Sequence, residues 1–119
     1  MTTSPPKKFL VLYLLPADVL AGWAKTDPEV KKAAEEKMRG EWQRWMGDHA
    51  KMITLTEAAG KTKAVTSAGI GDTKNDILVY SIIEAENHEM AAKAFAHHPH
   101  LQIPQSSIQV MEVHTMGGM

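Results

Sequence analysis

Polar and apolar positions alternate unevenly along this chain, and two short runs abandon the alternation altogether. Residues 8–15 (KFLVLYLL) are apolar on both alternating sets, with Phe9, Val11, Tyr13 and Leu15 on one side and Leu10, Leu12 and Leu14 on the other. The length of the run and its place before Pro16 predict a strand, and a strand apolar on both faces belongs inside a sheet covered on both sides. Residues 76–84 (DILVYSIIE) repeat the pattern, setting Ile77, Val79 and Ile83 against Leu78, Tyr80 and Ile82, and predict a second central strand. Residues 62–68 (TKAVTSA) alternate weakly and carry Lys63 and several hydroxyls, which suits a sheet edge. Gly69, Gly71 and residues 72–76 read as a turn. Residues 107–114 (SIQVMEVH) have mixed faces and form the closing strand.

Two helices separate these strands. Asp27 is a capping residue, Pro28 fits the first helical position and Glu29 suits the positive helix end. From there to about His49, the positions Val30, Ala34, Met38, Trp42, Trp45 and His49, followed by Met52, step by threes and fours along one stripe. Asn87 caps a second, shorter helix, whose packing face is Ala91, Ala94 and Phe95 and whose end is set by Pro99. A short helical turn covers residues 19–23. Residues 1–6, and Gly117, Gly118 and Met119, read as loose tails.

The order strand, helix, strand, strand, helix, strand, with its first and third strands most apolar, predicts an α+β fold. It is a ferredoxin-like βαββαβ arrangement with a four-stranded antiparallel sheet. Both helices then cover one face of the sheet, and the other face must be hidden by something else. A second copy of the chain is the simplest cover, so the expectation is a two-fold homodimer packed sheet to sheet.

Composition adds mostly exclusions. The chain has 119 residues, 44% apolar and 23% charged, which fits one domain over residues 7–116. Its formal charge of −1 gives no reason to expect nucleic acid or an anionic membrane as partner. Without cysteine there is no disulfide, thiolate metal site or cysteine nucleophile. The apolar run at residues 9–15 is far shorter than the roughly 20 residues of a membrane span. No charged-then-apolar leader is evident, and the expected location is cytoplasmic. The segment GIGDTKND lacks Walker and Rossmann spacing, so no nucleotide cofactor is expected.

The segment TSAGIGDTKNDILVYSIIEAENHEMAAKAFAHHPHL, followed by SIQVMEV, resembles the DGPF and YCII-related domains. These carry a glycine turn, an acidic turn, an apolar strand, an Ala-rich helix ending in a His-Pro pair and a last strand of this kind. The resemblance runs from KFLVLYLL to VMEV and is strongest from Thr66 onward. Ser67, Ala68, Gly69 and Ile70 stand where the family has its Asp-Gly-Pro-Phe turn. The resemblance implies a dimeric α+β barrel, a superfamily that includes cofactor-free monooxygenases and muconolactone isomerases. It places the family's His-Pro pair on His98 and Pro99.

Six histidines are the chemistry-bearing excess, three of them within residues 97–100. Imidazole exchanges protons near neutral pH, which makes His98 a candidate acid or base; the alternative is that His97 and His98 finish a helix and His100 is loop surface. His49 shares the stripe of Trp42 and Trp45. It is either a cavity proton acceptor or a helix-end histidine with a satisfied ring. Tyr13, Trp42, Tyr80 and Asp72 are candidate ligand-binding residues. No metal site is expected, since adjacent histidines on one helix diverge. The function these features predict is binding of a small apolar or aromatic molecule between sheet and helices, with cofactor-free histidine acid/base chemistry as an extension. The alternative is a non-catalytic dimeric interaction or sensing module.

Overall fold

A computed structural model of the chain describes residues 5–116; the expected tails fall largely outside that range. The elements in order are β1 (Lys7–Leu14), α1 (Ala17–Ala24), α2 (Pro28–Asp48), β2 (Ile53–Ala58), β3 (Thr62–Thr66), β4 (Gly69–Thr73), β5 (Ile77–Ala85), α3 (His88–Lys93), a 3-10 turn (Pro99–Gln102) and β6 (Ser107–Glu112). Four strands form an antiparallel sheet in the order β2-β5-β1-β6, with the doubly apolar β1 and β5 at its centre. The chain is α+β, and the sheet order is compatible with a ferredoxin-like fold.

Local chemistry accounts for the helix starts. The Asp27 carboxylate accepts from the backbone N–H groups of Glu29 and Val30, with Pro28 next to it. Asn87 accepts from the N–H of Met90 in the same way. The α2 stripe does not bury evenly: Val30 and Ala34 are exposed, Met38 and Trp42 are half-buried, and Trp45 is buried. Its C-terminal half packs on the sheet, where Trp45, Ala91 and Phe95 meet Phe9, Val11, Tyr13 and Ile83 in the core.

Among the described residues no second layer covers the opposite face of the sheet, and the shortest axis is 19 Å. Antiparallel register places Leu10 beside Ile82 and Met111, Leu12 beside Tyr80, and Leu55 beside Ile82 on that face. Leu10, Leu12, Leu14, Tyr80 and Ile82 are half-buried there, and Leu55 and Met111 are exposed.

Three expectations are corrected. The edge strand beside β5 is Ile53–Ala58, not residues 62–68: Thr56 bonds Ser81 of β5 through their hydroxyls at 2.7 Å, an anchor that local periodicity cannot show. Residues 62–66 and 69–73, the latter expected as a turn, instead pair with each other as a separate β3-β4 hairpin. A two-residue loop, Ser67 and Ala68, joins them, and Gly69 takes φ +137°, a conformation that favours glycine. Third, α3 ends at Lys93 rather than at Pro99, and turns lead from it into the 3-10 segment.

Candidate functional site

The residues with the most chemistry gather between α2, β1 and the segment around the 3-10 turn. Tyr13 points from β1 into this layer. Its ring centre lies 4.9 Å from Trp42, 5.1 Å from His98 and 5.8 Å from His100. His98 packs edge-on against Trp42 at 4.5 Å and against Trp45 at 4.4 Å. His49, the residue that closes α2, stacks on Trp45 at 4.1 Å with the rings 20° apart. The α2 stripe thus supplies the indole walls, β1 the phenol and the segment after α3 the imidazoles.

Hydrogen bonds set the tautomers of these rings in their neutral form. The Nδ1 of His98 accepts from the backbone N–H of His100 at 3.0 Å, as the cap of the 3-10 turn. In the neutral ring the proton therefore sits on Nε2. That Nε2 is the buried side-chain nitrogen left without a partner among the described residues. A buried donor left unpaired costs about 1–3 kcal/mol. Burial, with the nearby His100 and His49 charges adding to it, pulls the His98 pKa down to about 4. His100 donates Nε2–H to the Leu14 carbonyl at 2.9 Å; burial lowers its pKa and that bond partly offsets the shift. His49 donates Nδ1–H to the Trp45 carbonyl at 2.8 Å, so in the neutral ring Nε2 is the acceptor. The Tyr13 hydroxyl meets Ser81 Oγ at 3.1 Å, and Ser81 in turn meets Thr56, so the polar chain runs to the sheet edge. Burial raises the Tyr13 pKa, and the Ser81 bond opposes it.

An open groove of about 920 Å³ borders this cluster. Leu15, Leu20, Trp23, Met38, Trp42 and Leu78 give it apolar walls from α1, α2 and the ends of the central strands, and charged side chains such as Lys31, Glu35 and Arg39 line its rim. Its volume is in the range of small-molecule sites. Trp42 belongs to both places, since it walls the groove and touches His98.

Of the residues singled out by sequence, Tyr13, Trp42, His49 and His98 are brought together. Tyr80 lies on the opposite sheet face, donating its hydroxyl to Glu57 at 2.8 Å. Asp72 sits on the exposed hairpin in a 2.6 Å ion pair with Lys63. His97 is exposed, and neither it nor His98 finishes α3, which stops at Lys93; His98 instead caps the start of the 3-10 turn. His100 is not loop surface: it is 1% exposed and pinned to β1. Sequence reasoning missed His100 and Ser81; the only local hint for His100 was the Pro99 before it, which preorganises a tight turn. No group of His, Cys, Asp and Glu side chains placed to hold a metal occurs among the described residues, and no helix among them is long and apolar enough to cross a membrane. Comparison of the chain with protein-family models and with curated proteins gives no match.

Proposed function

We propose that this protein binds a small apolar or aromatic molecule in the groove between α1, α2 and the ends of β1 and β5, as a homodimer of the dimeric α+β barrel type with the DGPF and YCII-related domains as its relatives. The observation that carries the binding reading is the groove itself, about 920 Å³ with Trp23 and Trp42 as aromatic walls. The sheet order and the resemblance running from KFLVLYLL to VMEV support the family reading. The uncovered apolar face of Leu10, Leu12, Leu14, Tyr80 and Ile82 supports the second chain.

Binding is favoured over proton transfer. His98 is 1% exposed and, with a pKa near 4, stays neutral at pH 7. It serves as a fixed donor and is a weak base there. His49 keeps a free Nε2 but does not line the groove.

The test is a titration of ¹⁵N-labelled protein with 2-ethylnaphthalene. The indole N–H signals of Trp23 and Trp42 should shift together and saturate, while that of Trp45 moves little. Leu20→Asp, at an exposed groove position, should weaken binding about tenfold. Trp23 and Trp42 signals that stay unmoved at the solubility limit, both with this compound and with its ketone analogue 2-acetylnaphthalene, would rule the groove out.

A further inference from the structure

The unpartnered donor behind Trp42 says more about the occupant of the groove, on the footing that the groove is a ligand site. His98 Nε2–H is fixed as a donor because Nδ1 is already taken by the His100 backbone. None of its ring neighbours accepts a hydrogen bond from it. Trp42 and Trp45 carry indole N–H groups that only donate, and Phe95 has none. The Tyr13 hydroxyl bonds Ser81 and makes no bond to this nitrogen. What remains to this N–H is the π-face of a neighbouring ring, a second-order partner. A buried donor without an acceptor calls for an explanation, and a missing ligand atom is one. Among the aromatic rings packed on His98 in the described residues, Trp42 also walls the groove. Trp42 is half-buried and packs against the hydrophobic cluster of which Trp45 is a buried member.

The geometry points to a ligand that joins an apolar ring system to a carbonyl oxygen: the rings fill the groove, the Trp42 indole swings aside, and the oxygen accepts the Nε2–H of His98. Such a site discriminates sharply, because an analogue lacking the oxygen leaves the donor unpaired. His98 stays neutral throughout and transfers no proton. It is a binding residue that reads one polar atom on an otherwise apolar molecule.

Two probes of matched shape test this, 2-acetylnaphthalene, which has the carbonyl, and 2-ethylnaphthalene, which lacks it. Protein ¹⁵N-labelled at histidine reports the Nε2 of His98 directly, without any substitution in the core. The ketone should bind about tenfold more tightly than the hydrocarbon and shift the His98 Nε2–H signal downfield. His98→Phe should bring the two affinities together by weakening the ketone; the wild-type imidazole signal decides the matter if that variant does not fold. Equal affinities with Trp23 and Trp42 shifting and the His98 signal fixed would overturn the carbonyl reading while leaving the groove as a site. If neither compound moves the Trp23 and Trp42 signals, the groove reading fails and this inference fails with it.

Discussion

His98 joins two properties that a surface histidine does not combine: a ring enclosed by aromatic groups and a single forced tautomer. Its pKa lies near 4 in the folded chain, below the ordinary 6.5 that it regains on unfolding. Between these values the unfolded chain holds the extra proton and the folded chain does not, so stability falls as pH drops from about 6.5 to 4 and levels off below. The shift corresponds to a loss on the order of 3 kcal/mol, and His100, whose pKa is also lowered, adds in the same direction. Urea midpoints measured at pH 7 and pH 4.5 should show the loss, and the slope should shrink in His98→Gln. Tyr13→Phe is a milder change. It removes one hydroxyl while Ser81 keeps Thr56, so a destabilisation of about 1 kcal/mol is expected by denaturant titration. Of this cluster, the sequence showed the residues whose helical phase or motif exposed them: Trp42, His49 and His98. It did not show the depth of His100, because the Leu14 carbonyl that holds it lies 86 positions away.

The elements divide by the same logic. Helix α2 was legible from end to end, because a capping aspartate, a proline and a regular stripe are all local signals. Strands β1 and β5 were legible because each is apolar on both alternating sets, which marks a strand from the centre of a sheet. The edge strand β2, with sequence ITLTEA, is mostly polar or exposed, and its place depends on pairing with β5. The β3-β4 hairpin hid because its loop, Ser67 and Ala68, lacks the Asn-Gly type of signal that usually marks two-residue turns. Two substitutions test the account of α2. Asp27→Ala should cost about 1 kcal/mol by removing the cap. Gly40→Ala should stabilise by about 0.5–1 kcal/mol, since a Cβ there meets no atom within 4 Å and alanine favours the helix interior. Thermal unfolding of each variant reads both signs.

At the scale of the whole molecule, the unpaired layer decides the behaviour. A sheet with helices on one face and Leu10, Leu12 and Ile82 on the other should associate through that face, and light scattering at micromolar concentration should give twice the 13.1 kDa chain mass. Leu12→Lys, at the centre of the face, should return the mass to that of one chain while far-ultraviolet circular dichroism stays unchanged. A wild-type monomer at that concentration would remove the homodimer from the account. The β3-β4 hairpin bears on how this is measured. It is a two-stranded sheet separate from the four-stranded one, with Val65 and Ile70 side by side and both more than 70% exposed. The longest dimension reaches 57 Å and the Cα radius of gyration 16.9 Å, against about 13.5 Å for a compact chain of this length. An extended shape of this kind adds hydrodynamic drag without adding mass. A single chain will therefore leave a sizing column early, in the place of a larger globule, so elution volume would report a dimer whether or not one had formed, and only an absolute mass separates the two.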